Sequence, residues 1–504
     1  MLREHCLLLL ATLAASLLYY LTNVRRRHAG TGAGRLPPGP SPLPLVGNLL
    51  DLRGGGGNLH HTLARLARAH GPVMRLRLGL TTAVVVSSRD AAREAFTKHD
   101  RSLSARAVPD IARAAGFSDR SMIWLPSSDP RWKALRGVVA AHVFSPRSLA
   151  AARGVRELKA RDIEVDVGQA VYGGVLNLVA SALFSRDVVD VGADSARGLR
   201  ELVEEIIEAI AKPNVSDLFP LVRPLDLQGW RRWTARRFHK VFSMLDDVVD
   251  GRLALAAAVD ASSSSSSKDD DVPVPHRDFL DALLELLSTG KITRDNVMTI
   301  MFDVFAAGSD TIAVTVEWAM AELLRNPSVM AKAREEIHGA LGSKETVEEP
   351  DAVSLPYLLA VVKEAMRLHP VAPILLPHRA TDDGVEIGGH AVPKGCTVIF
   401  NAWAIMRDPA AWERPDEFIP ERFLDREDEV GFRGKEFEFI PFGSGRRLCP
   451  GLPMAERVVP LILASLLHAF EWRLPDGVQL DVSEKFTTAN VLAVPLRAVP
   501  VVVT

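Results

Sequence analysis

Ten residues near the C-terminal end constrain this chain more than any other stretch: FGSGRRLCPG, from Phe442 to Gly451. Its cysteine, Cys449, is one of three in 504 residues. Glycines at 443, 445 and 451 let the backbone turn sharply and come close to a flat ligand. Arg446 and Arg447 set fixed positive charge beside the sulfur, which favours thiolate over thiol. Pro450 removes a backbone donor and stiffens the turn. The apolar run from Leu461 to Leu467 then reads as a buried helix, and a thiolate at a helix amino end gains from the helix dipole. Such a cysteine suits metal binding better than core filling.

A second unusual stretch is AAGSDT, residues 306–311. It sits in the middle of a long apolar helix predicted from a cap at Thr293 to Arg325, ended by Asn326-Pro327. A glycine there costs about 1 kcal/mol relative to alanine. A buried carboxylate and hydroxyl also need partners. Three locally unfavourable choices in a row predict a functional distortion of the helix. Elsewhere, SLPYLLAVVKEAMRLHP (354–370) predicts a helix stopped by Pro370, with Glu364 and Arg367 on one face. In DPRWKALR (129–136), Trp132 and Arg136 are four apart and share a helical face.

These motifs, in this order, resemble those of the cytochromes P450. The family pattern Phe-x-x-Gly-x-Arg-x-Cys-x-Gly falls on Phe442, Gly445, Arg447, Cys449 and Gly451 without departure. The resemblance runs over roughly residues 36–500 and implies a mainly α fold with small β-sheets. It implies haem b as cofactor, with Cys449 as the axial metal ligand. The oxygen-activation motif falls on Ala307, Gly308, Asp310 and Thr311. By that likeness Gly308 makes room for dioxygen, Thr311 supplies a hydrogen bond during oxygen activation, and Asp310 helps relay protons. Glu364 and Arg367 would lock to Arg422 of Pro420-Glu421-Arg422-Phe423 as a buried, core-fixing triad. Trp132, Arg136, Arg379 and Arg447 would hold the haem propionates, since two carboxylates in an apolar pocket need cationic partners.

The implied reaction inserts one atom of O2 into a C–H bond of an apolar small molecule and reduces the other to water. The sequence carries no nucleotide-binding motif. GTGAGR (residues 30–35) has no strand before it and Leu36-Pro37-Pro38 after it, so it is not a dinucleotide fingerprint. Electrons must then come from a separate protein, by resemblance an NADPH–cytochrome P450 reductase, with Lys133, Arg446 and Arg457 as candidate contacts. The AAGSDT helix, the PFGSGRRLCPG loop and the FTTANVLAVPL tail are similar to plant enzymes of the geraniol-hydroxylase-like group, which includes diterpene hydroxylases. By that analogy Phe302, Ala306, Ala307, Val371, Ile374, Thr488 and Asn490 line the substrate pocket. Rival readings are a P450-fold isomerase or dehydratase, a hydroxylase of fatty acids or phenolics, and a haem carrier. Thr311 and the intact oxygen-activation helix argue against the isomerase and the carrier.

A net charge of −2 and a pI near 6.7 give no nucleic-acid signal. Cys6, Cys396 and Cys449 cannot form a disulfide framework, which fits a reducing compartment. Length alone suggests three domains at about 150 residues each. The motifs are scattered and must meet, so one catalytic domain over 49–504 is expected instead. Residues 5–24 are apolar, without Asp, Glu, Lys or Arg, and long enough to cross a bilayer once. Arg25, Arg26 and Arg27 follow and should stay cytoplasmic. The expectation is an anchor over 1–27 in the endoplasmic reticulum membrane and a Gly/Pro-rich hinge over 28–48, with five prolines enforcing an extended path from 36. Residues 262–272 (six serines, then Lys268 and three aspartates) read as a flexible surface loop. Strands are predicted at 72–79, 82–88, 397–402 and 495–504.

Overall fold

The computed structural model describes residues 34–53, 57–142, 165–184, 193–263, 278–424 and 430–502. The expected anchor at 5–24 lies outside them, as do residues 264–272 of the serine-aspartate stretch. Ser262 and Ser263 close a 34-residue helix that begins at Trp230, so the first two serines of that stretch are helical rather than loop.

The elements that position the site are named here in chain order. They are α1 (Leu59–His70), β1 (Val73–Leu78), β2 (Thr81–Val86), β3 (Ala105–Arg106) and α2 (Pro130–His142). Then come α3 (Val167–Phe184), α4 (Arg294–Arg325), α5 (Pro356–Leu368), β4 (His378–Arg379) and β5 (Thr397–Phe400). Last are α6 (Leu452–Ala469), β6 (Glu484–Phe486), β7 (Asn490–Leu492) and β8 (Arg497–Val502). The architecture is mainly helical with small sheets, as the sequence led us to expect.

The largest sheet has the order β1-β2-β5-β4-β3. β1 and β2 form an antiparallel hairpin, Val73 opposite Val86, and β5 joins β2 in parallel. The strands predicted at 72–79, 397–402 and 495–504 form within those bounds, and the one predicted at 82–88 starts a residue earlier, at Thr81. Beneath this sheet a small apolar cluster gathers Leu63, Leu66, Met74, Leu76 and Val85. The main core surrounds α4, whose Val316, Trp318, Ala319 and Met320 are fully buried. Both α4 and α6 are long and apolar enough to cross a membrane, but 56% and 67% of their apolar windows are buried, so they serve as core helices.

Thr293 caps α4 through a reciprocal exchange with Asn296, and Asn326 closes it, as predicted. The expected distortion at 306–311 does not form: α4 runs unbroken through it. The Thr311 hydroxyl donates to the Ala307 carbonyl at 2.9 Å, a bond to the preceding turn that a helical threonine makes readily. The proline segment also differs. Leu43 and Gly47 exchange backbone hydrogen bonds of 3.0 and 2.9 Å, so the chain doubles back there rather than staying extended. Gly47 takes φ +65°, and a Cβ on it would lie 2.1 Å from the Arg77 carbonyl oxygen. The turn therefore depends on glycine.

Candidate functional site

Between α4, α6 and the Phe442–Gly451 loop lies a largely apolar cavity of about 360 Å³. The loop reaches it by two devices. Gly443 and Gly445 adopt φ +74° and +65°, a region that favours glycine. At 445 a Cβ would sit 2.3 Å from Asp100 Oδ1, which instead accepts the Arg446 N–H at 2.9 Å. The Cys449 N–H donates to the Phe442 carbonyl at 3.0 Å, closing the loop beneath the sulfur. Burial pushes the Cys449 thiol up. The Gly451 N–H, the Arg136 charge and the Leu452 N–H oppose that shift. Gly451 is the cap of α6, so the helix amino end does face the sulfur.

The cation facing the sulfur is Arg136, not the two arginines in the loop. Arg446 turns out to Asp100 at 3.1 Å, and Arg447 turns in to the carbonyls of Ser104 and Leu125. Arg447, Arg136 and Arg106 all line the cavity. Their contacts within the chain are to carbonyl oxygens: Arg136 to Leu448 at 2.7 Å and Arg106 to Leu376 at 2.6 Å. Burial, then mutual repulsion, pushes Arg106 down to about 9 and Arg447 down to about 10. Arg136 and Arg447 approach the Trp132 ring at 5.2 and 4.9 Å. Trp132 Nε1 and Arg106 Nε are buried without a hydrogen-bond partner in the described structure. Buried polar atoms are rarely left so. A ligand with anionic groups at this edge and a flat apolar body in the cavity answers both observations. Dicarboxylate haem, with Cys449 Sγ on the cavity wall, fits that description.

One propionate-contact expectation is corrected. Arg379 is exposed and outside the cavity, while His378 beside it lines the cavity and is buried. Successive residues of a strand point to opposite faces, and pairing of β4 with β3 and β5 sends the histidine inward. His378 Nδ1 lies 2.7 Å from the Leu103 carbonyl, and burial, then Arg106, holds its pKa well below the usual range. The sequence reading missed both His378 and Arg106. Alternation within LPHRA was the available signal for the first; nothing local marks the second.

On the opposite wall, Ala307, Gly308 and Thr311 face the cavity, and Val371 joins them. Asp310 does not. A helix turns about 100° per residue, so Asp310 opens into a separate cleft of about 370 Å³ behind α4. Asp166, Glu204, Glu208 and Glu317 share that cleft. Thr488 also belongs to this cleft, not to the cavity. Other pocket expectations fail similarly. Phe302 packs on Phe117 and Phe238 at 5.1 and 5.4 Å, Ala306 packs into the core, and Ile374 joins the cluster beneath the sheet. Asn490 is fully buried, its backbone tied to Val371 and Trp318. Asp303, which the sequence reading passed over, does line the cavity. Its spacing of i, i+4 and i+8 with Ala307 and Thr311 was the readable signal.

The Glu364–Arg367–Arg422 triad assembles. Arg367 donates twice to Glu364, at 2.7 and 2.9 Å, and Arg422 donates to Glu364 Oε1 at 2.9 Å. Glu364 and Arg367 are fully buried. Remaining guanidinium hydrogens go to the carbonyls of Met406, Pro415 and Glu417. None of the three lines the cavity, and together they hold α5 to the segment before Phe423.

Comparison with known proteins points the same way. Residues 37–498 match the family described as Cytochrome P450. "Cytochrome P450 76M5" of Oryza sativa subsp. japonica is 65% identical over 513 residues, covering 98% of each chain. "Ent-cassadiene C11-alpha-hydroxylase 1" of the same plant is 60% identical over 509 residues, with 98% of each chain covered. "Oryzalexin E synthase", also from that plant, is 62% identical over 506 residues, with 96% of each chain covered. Among solved structures, a zebrafish cytochrome P450 superposes with a TM-score of 0.69 at 25% identity, over 89% of this chain and 100% of that one.

Proposed function

Since the chain belongs to the cytochrome P450 family of haem-thiolate monooxygenases, we propose that it hydroxylates a terpenoid, specifically a labdane-related diterpene. The printed activities of its plant relatives support this substrate class. So does the cavity wall: Ile123, Val304, Ala307, Val371 and Leu375 offer contact surface to a hydrocarbon body.

The observation that carries the reading is the pairing, in one cavity, of a half-buried thiol with a cationic edge that lacks a carboxylate partner. Bound haem supplies the activation of O2, with two electrons and two protons giving one inserted oxygen atom and one water. The chain's residues do the rest. Cys449 would hold the haem iron, its sulfur steadied by the Gly451 and Leu452 N–H groups. Arg106, Arg136, Arg447, His378 and Trp132 would hold the propionates. Thr311 Oγ1 holds a proton on the distal side, and Gly308 leaves space beside it.

Electrons come from an NADPH–cytochrome P450 reductase at the face bearing the cysteine loop, where Lys133 is exposed. Arg446 and Arg457 on that face are engaged with Asp100 and Glu349. The protein works at the endoplasmic reticulum membrane, with its catalytic domain on the cytoplasmic side. A surface of exposed leucines supports that pose: Leu43, Leu45 and Leu50 lie near Leu221, Leu225 and Leu227. Backbone bonds from Gly79 to Val46 and from Leu80 to Leu218 make the two groups contiguous.

The test is coexpression with a reductase, a carbon monoxide spectrum of the reduced protein, and a diterpene panel read by mass spectrometry. A strongly red-shifted Soret band and a product heavier by one oxygen are expected. A normal spectrum with no product from any terpene would leave the family intact and remove the substrate assignment.

A further inference from the structure

Buried polar atoms lack partners at one more place, where the segment Ile111–Asp119 packs on the helix Trp230–Ser263 and Phe117 stacks on Phe238 at 4.5 Å. Asp110 Oδ2, Arg113 Nε, Arg223 Nε and Thr234 Oγ1 are each buried without a hydrogen-bond partner in the described structure. Asp110 and Thr234 are fully buried. Arg223 and Arg231 approach Asp110 Oδ1 only at 3.5 and 3.4 Å, and Oδ2 receives nothing. The Asp110 N–H donates to Asp217 Oδ1 at 2.7 Å, and Arg113 and Arg223 act on Asp217 through their charge. Three guanidiniums thus gather around two carboxylates, while Arg232 beside them is taken by Asp226. Buried polar groups are seldom left open in this way. The excess charge calls for an anion, and Asp110 Oδ2 calls for a donor.

The cluster opens to solvent beside exposed leucines. Arg223 and Arg231 are 31% and 32% exposed, and Arg223 stands in the chain between Leu221 and Leu225, which are 83% and 63% exposed. Those leucines belong to the surface proposed above to meet the membrane. A guanidinium at that level pairs well with lipid phosphate. Phosphate alone would satisfy the arginines and be repelled by Asp110 and Asp217. A phosphate ester that also carries hydroxyls answers both signs. We infer that this junction binds the headgroup of one anionic, polyhydroxylated phospholipid, of the phosphatidylinositol kind. Its phosphate sits on Arg113, Arg223 and Arg231, and a hydroxyl donates to Asp110 Oδ2. The covering segment continues to Met122 and Ile123 on the cavity wall, so a bound headgroup ties the cover of the cavity to the bilayer. The inference rests on the membrane pose proposed above and adds the lipid that this surface selects.

The experiment titrates the full-length holoprotein in neutral detergent with lipid and counts bound molecules by native mass spectrometry. Phosphatidylinositol, phosphatidic acid, phosphatidylcholine and soluble inositol 1-phosphate are compared. One phosphatidylinositol is expected to bind at least tenfold more tightly than phosphatidylcholine, because a site built around hydrogen bonds rejects the analogue that lacks them. Phosphatidic acid should fall between the two, and inositol 1-phosphate should bind at least tenfold more weakly than phosphatidylinositol. Arg223→Gln combined with Arg231→Gln should cut the preference to about twofold or less, with the carbon monoxide spectrum unchanged. Leu221→Asn combined with Leu225→Asn should weaken all three lipids alike and keep their order. Equal wild-type binding of phosphatidylinositol and phosphatidylcholine, both weakened by the leucine variant, would overturn the inference and leave the membrane pose standing. Lipid binding untouched by the leucine variant would overturn the pose as well. Phosphatidic acid binding as tightly as phosphatidylinositol would overturn the hydroxyl contact at Asp110. Inositol 1-phosphate binding as tightly would make this a site for a free phosphate ester and overturn the lipid assignment. The wild-type comparisons need no variant to fold.

Discussion

Two buried arginine clusters lie in this molecule, one around Glu364 and one at the edge of the cavity. In the first, Arg367 and Arg422 converge on a carboxylate, and carbonyls of Met406, Pro415 and Glu417 take the remaining hydrogens. The charges are matched inside the chain. In the second, Arg106, Arg136 and Arg447 repel one another, receive only carbonyl oxygens, and leave buried Arg106 Nε and Trp132 Nε1 without partners. Arginine is the common ingredient, so it does not distinguish them. What does is whether the hydrogen bonds close. A closed network holds protein to protein, whereas an open one is completed by something the chain does not encode.

The most severe test of this contrast is Glu364→Ala. It leaves two buried guanidiniums without their carboxylate, which costs about 3–5 kcal/mol. Loss of folded holoprotein is expected in thermal melts and haem content. Normal haem content would erase the contrast from one side. Arg106→Leu tests the other side. Removing a repelled charge should leave the apoprotein's urea midpoint unchanged or raised. Haem transfer to an apomyoglobin acceptor should accelerate roughly tenfold or more, as a charge-assisted hydrogen bond is worth about 1.5–3 kcal/mol. An apoprotein that melts much earlier would show that the cationic edge is structural after all.

Thr311→Ala belongs to neither cluster and should respect both. Haem content stays normal while product formed per NADPH falls, roughly tenfold, and peroxide rises in its place. Fully coupled turnover would remove the proton-delivery role of that hydroxyl. A third polar centre, Glu484, extends the comparison to pH. Burial pushes its pKa up, but hydrogen bonds from His369, His60 and His61, with Arg407 nearby, outweigh that and hold it well below the usual range. A depressed folded pKa gives stability that is present above the unfolded value near 4.5 and is lost as pH falls through the folded value. Acid unfolding of Glu484→Gln should therefore be less steep with pH than that of wild type. The smallest effect is expected at Arg446→Ala. Its pair with Asp100 is half exposed and worth under about 1 kcal/mol, so stability should hardly move. Any change should appear in the salt dependence of reductase binding.

The sequence made the closed features easiest to read. Glu364 and Arg367 share a helical face, and Cys449 lies in a loop whose glycines and proline are themselves the signal. The caps of α4 were equally plain, because capping is local chemistry. Arg379 failed for a different reason. β4 has two residues, and which one faces inward is set by pairing with residues 105–106 and 397–398, far away in the chain. Asp310 and Thr311 were assigned to one site by the family motif they share, whereas helical geometry sends them to different chambers. Phe302 and Ile374 are apolar enough for a pocket wall or a core, and only tertiary packing decides between the two.

The links from α1 to β6 bear on how the protein is made. Asn58 and His60 find partners at Glu484, and Asn58 also receives the Phe486 N–H, between 424 and 428 positions downstream. While the chain emerges from the ribosome, that end of α1 first meets Asn401 and Trp403, and its polar side chains wait longer for their partners. Nearly the whole polypeptide must be translated before it can be covered. Cleavage or premature termination just before position 484 would thus strand a surface at the opposite terminus, making the final score of residues a completion signal for the first helix.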